Sequence, residues 1–413
     1  MPPLQIYDRR ERALVATADR ALALGAAVAR PFRRRRAPVA PRRILLLRLE
    51  RIGDLLMALP AIADVRSFAP DAAIDLVVGS WNTELARAID RVTRVETLDA
   101  AWLGREGEGL GLAALIRAAR RWRIARYDLA INFEPDIRSN LLAASSGATW
   151  TAGYRSGGGG ALLDVALEYD RGVHTTDNAR RLVASVLGRT RARLHPSDAD
   201  RDTRPQSEMA PIIVLTTEAR ANATNLLRDA RRPLVGLHVS GGRAIKQWEP
   251  ERFADVARRL IESTGATVIL TGSDADRSLV NTVAQTLPSS QAVDVAGHLD
   301  LLTLAAILER LDLLITGDTG PMHLAAAVAT PIVAVFGPSD PARYAPRGPL
   351  DRVVRVDLSC SPCNRIRRPP ARCTGHTPDC LALLTADSVF TAAMAVLQES
   401  RRRSAVRADT TTA

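Results

Sequence analysis

Two tandem doubly wound α/β domains are what this sequence predicts, on three observations. Short continuous apolar runs of the kind that form buried parallel strands alternate with helical segments from residue 43 onward. A polar stretch from Arg193 to Glu208 interrupts the alternation, which then restarts. At 413 residues and 46% hydrophobic content, the chain is long enough for two cores. Strands separated by helices imply a parallel sheet covered on both faces, and ligands in such folds sit beyond the carboxyl ends of the strands. The residues just after each apolar run are therefore the ones to search for function.

The arm before residue 43 reads differently. With Arg43 it holds eleven arginines against Asp8, Glu11 and Asp19, so most of the formal charge of +11 lies in residues 1–43. Residues 13–29 are rich in Ala, Leu and Val but include Asp19 and Arg20, which makes them too short and too charged to span a bilayer. The strongest charge cluster, Arg33–Arg36, follows the apolar part, whereas a cleaved signal peptide places it before. Residues 1–42 are expected to form an amphipathic helix or a disordered leader that meets anionic lipid, against the alternative of a solvated tail. Aromatics make up 4% and no basic stretch is interleaved with stacking side chains, which speaks against a nucleic-acid partner.

The elements then follow in order. Ile44–Leu47 is the first strand, Arg51-Ile52-Gly53-Asp54 its turn, and Leu55 to Phe68 a helix with Pro60 in its middle. Ala73–Val78 and Asp128–Phe133 are further strands, with a basic amphipathic helix from Leu110 to Arg126 between them. Gly157–Gly160 is a four-glycine loop, the kind that lets backbone approach a ligand closely. The second half offers strands at Leu234–Val239, Ala266–Leu270, Leu311–Ile315 and Pro331–Phe336. The expected organisation is an arm over 1–42, a first domain over 43–232, a second over 233–400 and a disordered tail over 401–413. Strand-end residues cluster in the second half, which is expected to hold a phosphate-bearing ligand and the first half its reaction partner.

Lys246 is the only lysine among 56 basic residues. It follows the strand Val235–Val239 and the loop Ser240-Gly241-Gly242, and precedes a helix opened by Pro250. A compact ammonium on a flexible stem suits a phosphate oxygen at such a loop. Asp318-Thr319-Gly320-Pro321-Met322-His323 opens the helix after the strand at Leu313, and its backbone amides favour an anion. Taken singly, Asp318 or Thr319 would be a helix cap and His323 a buried helix residue. With Lys246 on a neighbouring loop, a bound diphosphate accounts for both.

These segments, together with Ile44 to Ile62, closely resemble the heptosyltransferase-like glycosyltransferases of family 9 from about Arg43 to about Gln398. The resemblance implies a GT-B architecture, two Rossmann-like domains facing a central cleft with the acceptor on the first and a nucleotide sugar on the second. It also implies inverting transfer, often from ADP-heptose, to a lipopolysaccharide core or related glycolipid at the cytoplasmic face of the inner membrane. Asp54 falls on the family's general base, and a carboxylate at the end of the first strand can take a proton from an acceptor hydroxyl. Lys246 falls on the phosphate-binding lysine, with Ser240 and Gly241 on the diphosphate loop. Asp318 matches the carboxylate for sugar hydroxyls, Thr319 and Gly320 the diphosphate amides, His323 the histidine near the phosphates and Leu299 the apolar side chain on the base. Arg51 and Glu134 are weaker acceptor-side candidates.

Asp274-Ala275-Asp276 copies a metal-binding pattern, but it follows a strand and starts a helix, so capping with a ribose contact by Asp276 is the stronger reading. No metal or other cofactor is then required. Cys360-x2-Cys363 and Cys373-x6-Cys380 lie within one arginine-rich stretch. The second spacing is too wide for the usual zinc ribbon, so reduced thiols are expected and a structural zinc on the four is not favoured. The rival readings are transfer to another cell-surface polysaccharide, a sugar-nucleotide epimerase or hydrolase using Glu134 and Asp136, and a non-catalytic nucleotide-sugar binder.

Overall fold

The computed structural model describes residues 4–6, 8–29, 37–38, 40–103, 108–194 and 213–411. The chain divides into two compact units, Met1–Ile212 and Ile213–Ala413. In chain order the first unit has α1 (Arg9–Ala29), β1 (Arg43–Arg48), α2 (Ile52–Phe68), β2 (Ala73–Val78), α3 (Thr83–Arg87) and β3 (Arg94–Thr97). It continues with α4 (Leu112–Arg120), β4 (Leu129–Asn132), α5 (Ile137–Ser145), β5 (Trp150–Tyr154), β6 (Val165–Leu167) and α6 (Thr175–Leu194). Its six strands run in the order β3-β2-β1-β4-β5-β6, and every pair is parallel.

The second unit repeats the plan. It has α7 (Thr217–Leu226), β7 (Leu234–His238), α8 (Pro250–Thr264), β8 (Thr267–Thr271), α9 (Arg277–Ala284), β9 (Ala292–Asp294) and α10 (Leu301–Arg310). Then come β10 (Leu313–Gly317), α11 (Gly320–Ala327), β11 (Ile332–Val335), α12 (Pro341–Tyr344), β12 (Arg352–Val354), α13 (Asp379–Ala382) and α14 (Ala386–Thr411). The strand order is β12-β11-β10-β7-β8-β9, again all parallel. In both sheets the order reverses beside the first strand, between β1 and β4 and between β7 and β10. A doubly wound sheet opens a crevice at that switch point, so the loops after these four strands are the places for ligands.

The apolar runs explain the central strands. Ile44 to Leu47 have no exposure, because a strand in a parallel sheet is covered by helices on both faces. Pro60 sits inside an unbroken α2. An interior proline costs about 3 kcal/mol, and burying even two or three of the surrounding Leu, Ile and Met side chains at roughly 1.5 to 3 kcal/mol each exceeds that. Ten residues of α2 are buried.

The structure differs from expectation at the edges. The outer strands β3, β5, β6, β9 and β12 were not anticipated, and four of these five contain only three or four residues. The division between units falls at residue 212, ahead of the expected 232, because α7 packs with α10 of the second unit. The expected tail is corrected as well: α14 continues past 401 to Thr411, with Arg403 paired to Glu399 one turn back at 3.0 Å. Most of the excursion expected over Arg193–Glu208, and the cluster Arg33–Arg36, lie outside the described residues.

Candidate functional site

The switch point of the second sheet brings the sequence-predicted donor residues together. After β7 the chain runs through Ser240 and Gly241, and a Cβ on Gly241 would lie 2.6 Å from the backbone of Lys246 and Gln247. Only glycine lets the loop fold back so tightly. Gln247 holds the turn, accepting from the Gly241 amide at 2.7 Å and donating to the Val239 and Trp248 carbonyls at 2.6 Å each. Lys246 is thereby carried across to the loop after β10. Its Nζ donates to the Asp318 carbonyl and reaches the Asp318 carboxylate at 3.2 Å.

The surroundings of Asp318 decide its charge. Burial alone would raise its carboxyl, but Lys246 and His323, whose Nε2 is 3.9 Å from Oδ1, outweigh that and hold it below the usual carboxylate range. Thr319 occupies the cap position of α11 without a side-chain capping bond, so the helix opens with its Gly320 amide toward the loop. Beside this group, the buried Ser339 hydroxyl is a further hydrogen-bonding partner of the Asp318 carboxylate and helps to hold its pKa down. In the sequence Ser339 is only one of the strand-end residues that follow Pro331–Phe336. Its burial beside Asp318 is what singles it out, and no sequence pattern announces that.

The flanking donor candidates fall at the same sheet edge. Asp276 closes a capping box with Ser273, accepting from its amide at 2.8 Å and its hydroxyl at 2.6 Å. One carboxylate oxygen is thus committed to the helix start, as the capping reading expects. Leu299 is half-buried, next to Asp300, the side-chain cap of α10. His238 at the end of β7 is buried beside Thr271 at 3.1 Å, and burial pushes its pKa down to about 4, so it is neutral.

In the first unit the same switch point is built around a residue that sequence reading passed over. Arg48, the last residue of β1, is buried at 3% exposure. It donates to the Phe133 carbonyl at 2.7 Å and the Asp54 carbonyl at 3.0 Å, and pairs with Glu50 at 3.1 Å and Asp54 Oδ1 at 3.3 Å. Burial would lower its pKa, but Glu50, Asp54 and Glu134 together raise it and keep it charged. Asp54 does not cap α2. It stands in the first turn, with Arg51 at the cap position lacking a side-chain capping bond. Arg51 itself stacks on Trp81 at 4.9 Å and donates to the Leu103 carbonyl at 2.7 Å.

Glu134 requires a correction. Expected at the acceptor, it is turned inward at 2% exposure, where Oε1 accepts from the Leu49 amide and from the Glu50 amide at 3.1 Å. Burial, opposed by Arg48 and reinforced by Asp136, pushes its pKa up to about 7. A folded-state pKa raised from 4.5 means that stability is fully present below about pH 4.5 and is lost as pH rises through 7. Glu134→Gln is therefore expected to gain on the wild type by roughly 3 kcal/mol between pH 5 and 8, measured by chemical denaturation of the first unit's transition. Parallel pH profiles for the two proteins would show that Glu134 is ionised throughout.

The four cysteines are unpaired. Cys360, Cys363, Cys373 and Cys380 line one small cavity with Arg372 and Asp379, a convergence that their spacing did not reveal. Among the described residues, no three His, Cys, Asp or Glu side chains are arranged to hold a metal ion.

Comparison with known proteins gives this geometry a chemical setting. The family model for glycosyltransferase family 9 (heptosyltransferase) matches residues 115–371. The chain is similar to lipopolysaccharide heptosyltransferase 2 of Salmonella typhimurium, 26% identical over 320 residues that cover 76% of this chain and 88% of the relative. It is also similar to the lipopolysaccharide core heptosyltransferase OpsX of Haemophilus influenzae, 23% identical over 323 residues, covering 77% and 85%. Among solved structures, a family 9 glycosyl transferase from Veillonella parvula superposes with a TM-score of 0.71 at 23% identity, covering 87% of this chain and 98% of that one. The ADP-heptose lps heptosyltransferase II of E. coli does so at 0.68 and 20%, covering 87% and 99%. At such identities the solved structures speak for the fold alone.

Proposed function

We propose, on the premise that the chain belongs to glycosyltransferase family 9 (heptosyltransferase), that it transfers a heptose from ADP-heptose to the core of a lipopolysaccharide. Its two doubly wound units are of the GT-B class. The observation that carries the donor half of this reading is the Lys246–Asp318 pair at the second switch point, with the buried Ser339 hydroxyl beside it.

In the proposed reaction Asp54 takes the proton of an acceptor hydroxyl as that oxygen bonds to the anomeric carbon. The bond from this carbon to the donor phosphate oxygen breaks with inversion, and the diphosphate leaves with the electron pair. Lys246 and the amides of Thr319 and Gly320 stabilise the departing charge, a task for which preorganised donors at a helix start are suited. We place that charge on these groups rather than on a metal ion. Ser240 and Gly241 line the diphosphate, Asp318 and Ser339 meet sugar hydroxyls, Asp276 meets the ribose, Leu299 packs on the base, and His323 supports Asp318. Glu134 acts through the Leu49–Glu50 backbone that it holds, and Arg51 lies toward the acceptor.

The lipid-borne acceptor puts the reaction at the cytoplasmic face of the inner membrane. Among the described residues no helix is long and apolar enough to cross a membrane, so the association we propose is peripheral. The deciding experiment is a thermal-shift series with ADP, UDP, GDP and ADP-heptose, followed by mass spectrometry of a heptose-deficient core acceptor. A ligand at 100 times its Kd should stabilise by about 2.7 kcal/mol, ADP-linked ligands most, and the acceptor should gain one heptose. Absence of stabilisation by every nucleotide diphosphate would remove the donor assignment.

A further inference from the structure

The N-terminal helix has two unlike faces, and only one is accounted for by the fold. Its inner face docks on the four-glycine loop after β5: the Gly159 amide donates to Asp19 at 2.7 Å, and a Cβ on Gly158 would lie 2.9 Å from Val15. Just upstream, the Gln5 amide donates to the Ser156 carbonyl and its side chain to the Tyr169 carbonyl, both at 2.8 Å. Val15, Asp19, Leu22 and Ala26 recur at the spacing of one helical stripe and are half-buried. The arm is therefore an ordered part of the first unit over Arg9–Ala29.

The outer face is apolar. Leu14, Leu24 and Val28 are 73%, 72% and 74% exposed, with the small residues Ala18, Ala21 and Gly25 between them. Three large side chains open to water on one helix form a patch, where a single exposed leucine would carry no message. Exposed Arg9, Arg10 and Arg20 lie along it, whereas Arg12 is turned back to donate to the Ile6 carbonyl at 2.9 Å, and the sequence adds Arg30 and Arg33–Arg36 directly after the helix. An apolar stripe edged by arginines on a helix too charged to span a bilayer has the chemistry of an interfacial segment, with aliphatic side chains among acyl chains and guanidinium groups on phosphates. A protein partner would not call for this excess of one charge.

Position adds a second argument. The loop under α1 follows β5, and the parallel sheet puts it at the same carboxyl edge as Asp54 after β1 and Glu134 after β4. Glu11 lies within electrostatic reach of Arg138, the second residue of α5 after β4. We infer that the outer stripe of α1 seats on an anionic bilayer and holds the acceptor edge of the first unit at headgroup level. This rests on the glycolipid acceptor proposed above for its purpose, but not for its measurement.

Deleting the arm would be a poor test, since it also uncovers the glycine loop. The full chain is instead compared with a Leu14→Ser/Leu24→Ser/Val28→Ser variant, whose changes face away from the unit, and with Arg9→Gln/Arg10→Gln/Arg20→Gln. Vesicles of phosphatidylglycerol and phosphatidylethanolamine should sediment the wild type in low salt, with binding reduced tenfold or more in each variant and for the wild type on phosphatidylcholine alone. Melting curves of the serine variant should match the wild type, and its transfer to a soluble core fragment should be unchanged while transfer to vesicle-borne acceptor falls about tenfold. Equal vesicle binding by wild type and serine variant would overturn the inference. So would a wild-type dimer that the serine variant converts to monomer with no lipid dependence, since the stripe would then cover a second copy. Loss of vesicle binding without transfer to any acceptor would leave the bilayer contact standing and sink only the proposed reaction.

Discussion

Replacing Asp54 with Asn or Ala is expected to lower sugar transfer by a factor on the order of 100 to 10,000, the usual scale for removal of a positioned general base. The expectation comes from where the carboxylate is held. Arg48 grips the start of α2 from below, bonding the Asp54 carbonyl and Oδ1, and its own charge is locked by Glu50 and the Phe133 carbonyl. The carboxylate therefore stays oriented while 29% of the side chain remains exposed to take up a substrate proton. Asn preserves shape and a bond to Arg48 but cannot accept the proton. The fold should survive, because Arg48 keeps Glu50 as a counter-ion. Donor affinity should be unchanged, because the residues proposed to hold the donor belong to the second unit. The measurement is kcat against donor KM and Tm for both variants, and near-normal kcat in either would remove Asp54 from the reaction.

The parts of this molecule that could be read in advance are those whose physics is local. Ile44–Leu47 and Leu234–His238 announce buried parallel strands because covering helices demand apolar side chains on both faces. The loops after them could then be named as ligand positions from topology alone. The outer strands were not legible: β3 reads Arg-Val-Glu-Thr and β12 Arg-Val-Val, short, half-wet segments with no periodicity to count. Lys246 was found by its rarity and its loop, yet its contact with Asp318 depends on pairing between β7 and β10, 72 residues apart in sequence for the two side chains. Arg48 and Ser339 were missed for one reason, since their meaning lies in being buried and polar at once. Sequence places a polar residue at the end of an apolar run without saying whether it turns to water or to the site. Glu134 shows the converse, a carboxylate at a promising strand end that is spent on two backbone amides.

Lys246→Ala should produce two separable losses. The first is donor affinity: a charge-assisted hydrogen bond to phosphate is worth about 1.5 to 3 kcal/mol, so the Kd for ADP should rise roughly ten- to hundredfold. The second is stability, because Asp318, 13% exposed, is left without the cation that outweighs its burial. Its carboxyl now sits below the usual range, so the contribution of the pair is present above that range and disappears only as pH falls through the lowered value. Without Lys246 that value should climb, and at neutral pH the second unit should lose on the order of 2 kcal/mol. Lys246→Ala/Asp318→Asn separates the two effects. It removes the buried charge along with its partner and should recover most of the stability, while ADP binding stays weak because no cation reaches the phosphate. Lys246→Arg should keep stability and restore binding only in part, since a planar guanidinium is longer and cannot reproduce a point charge within a loop folded as closely as that at Gly241. Full ADP affinity in the double variant would mean that Lys246 serves Asp318 alone, and the diphosphate would have to be held by the α11 amides without it.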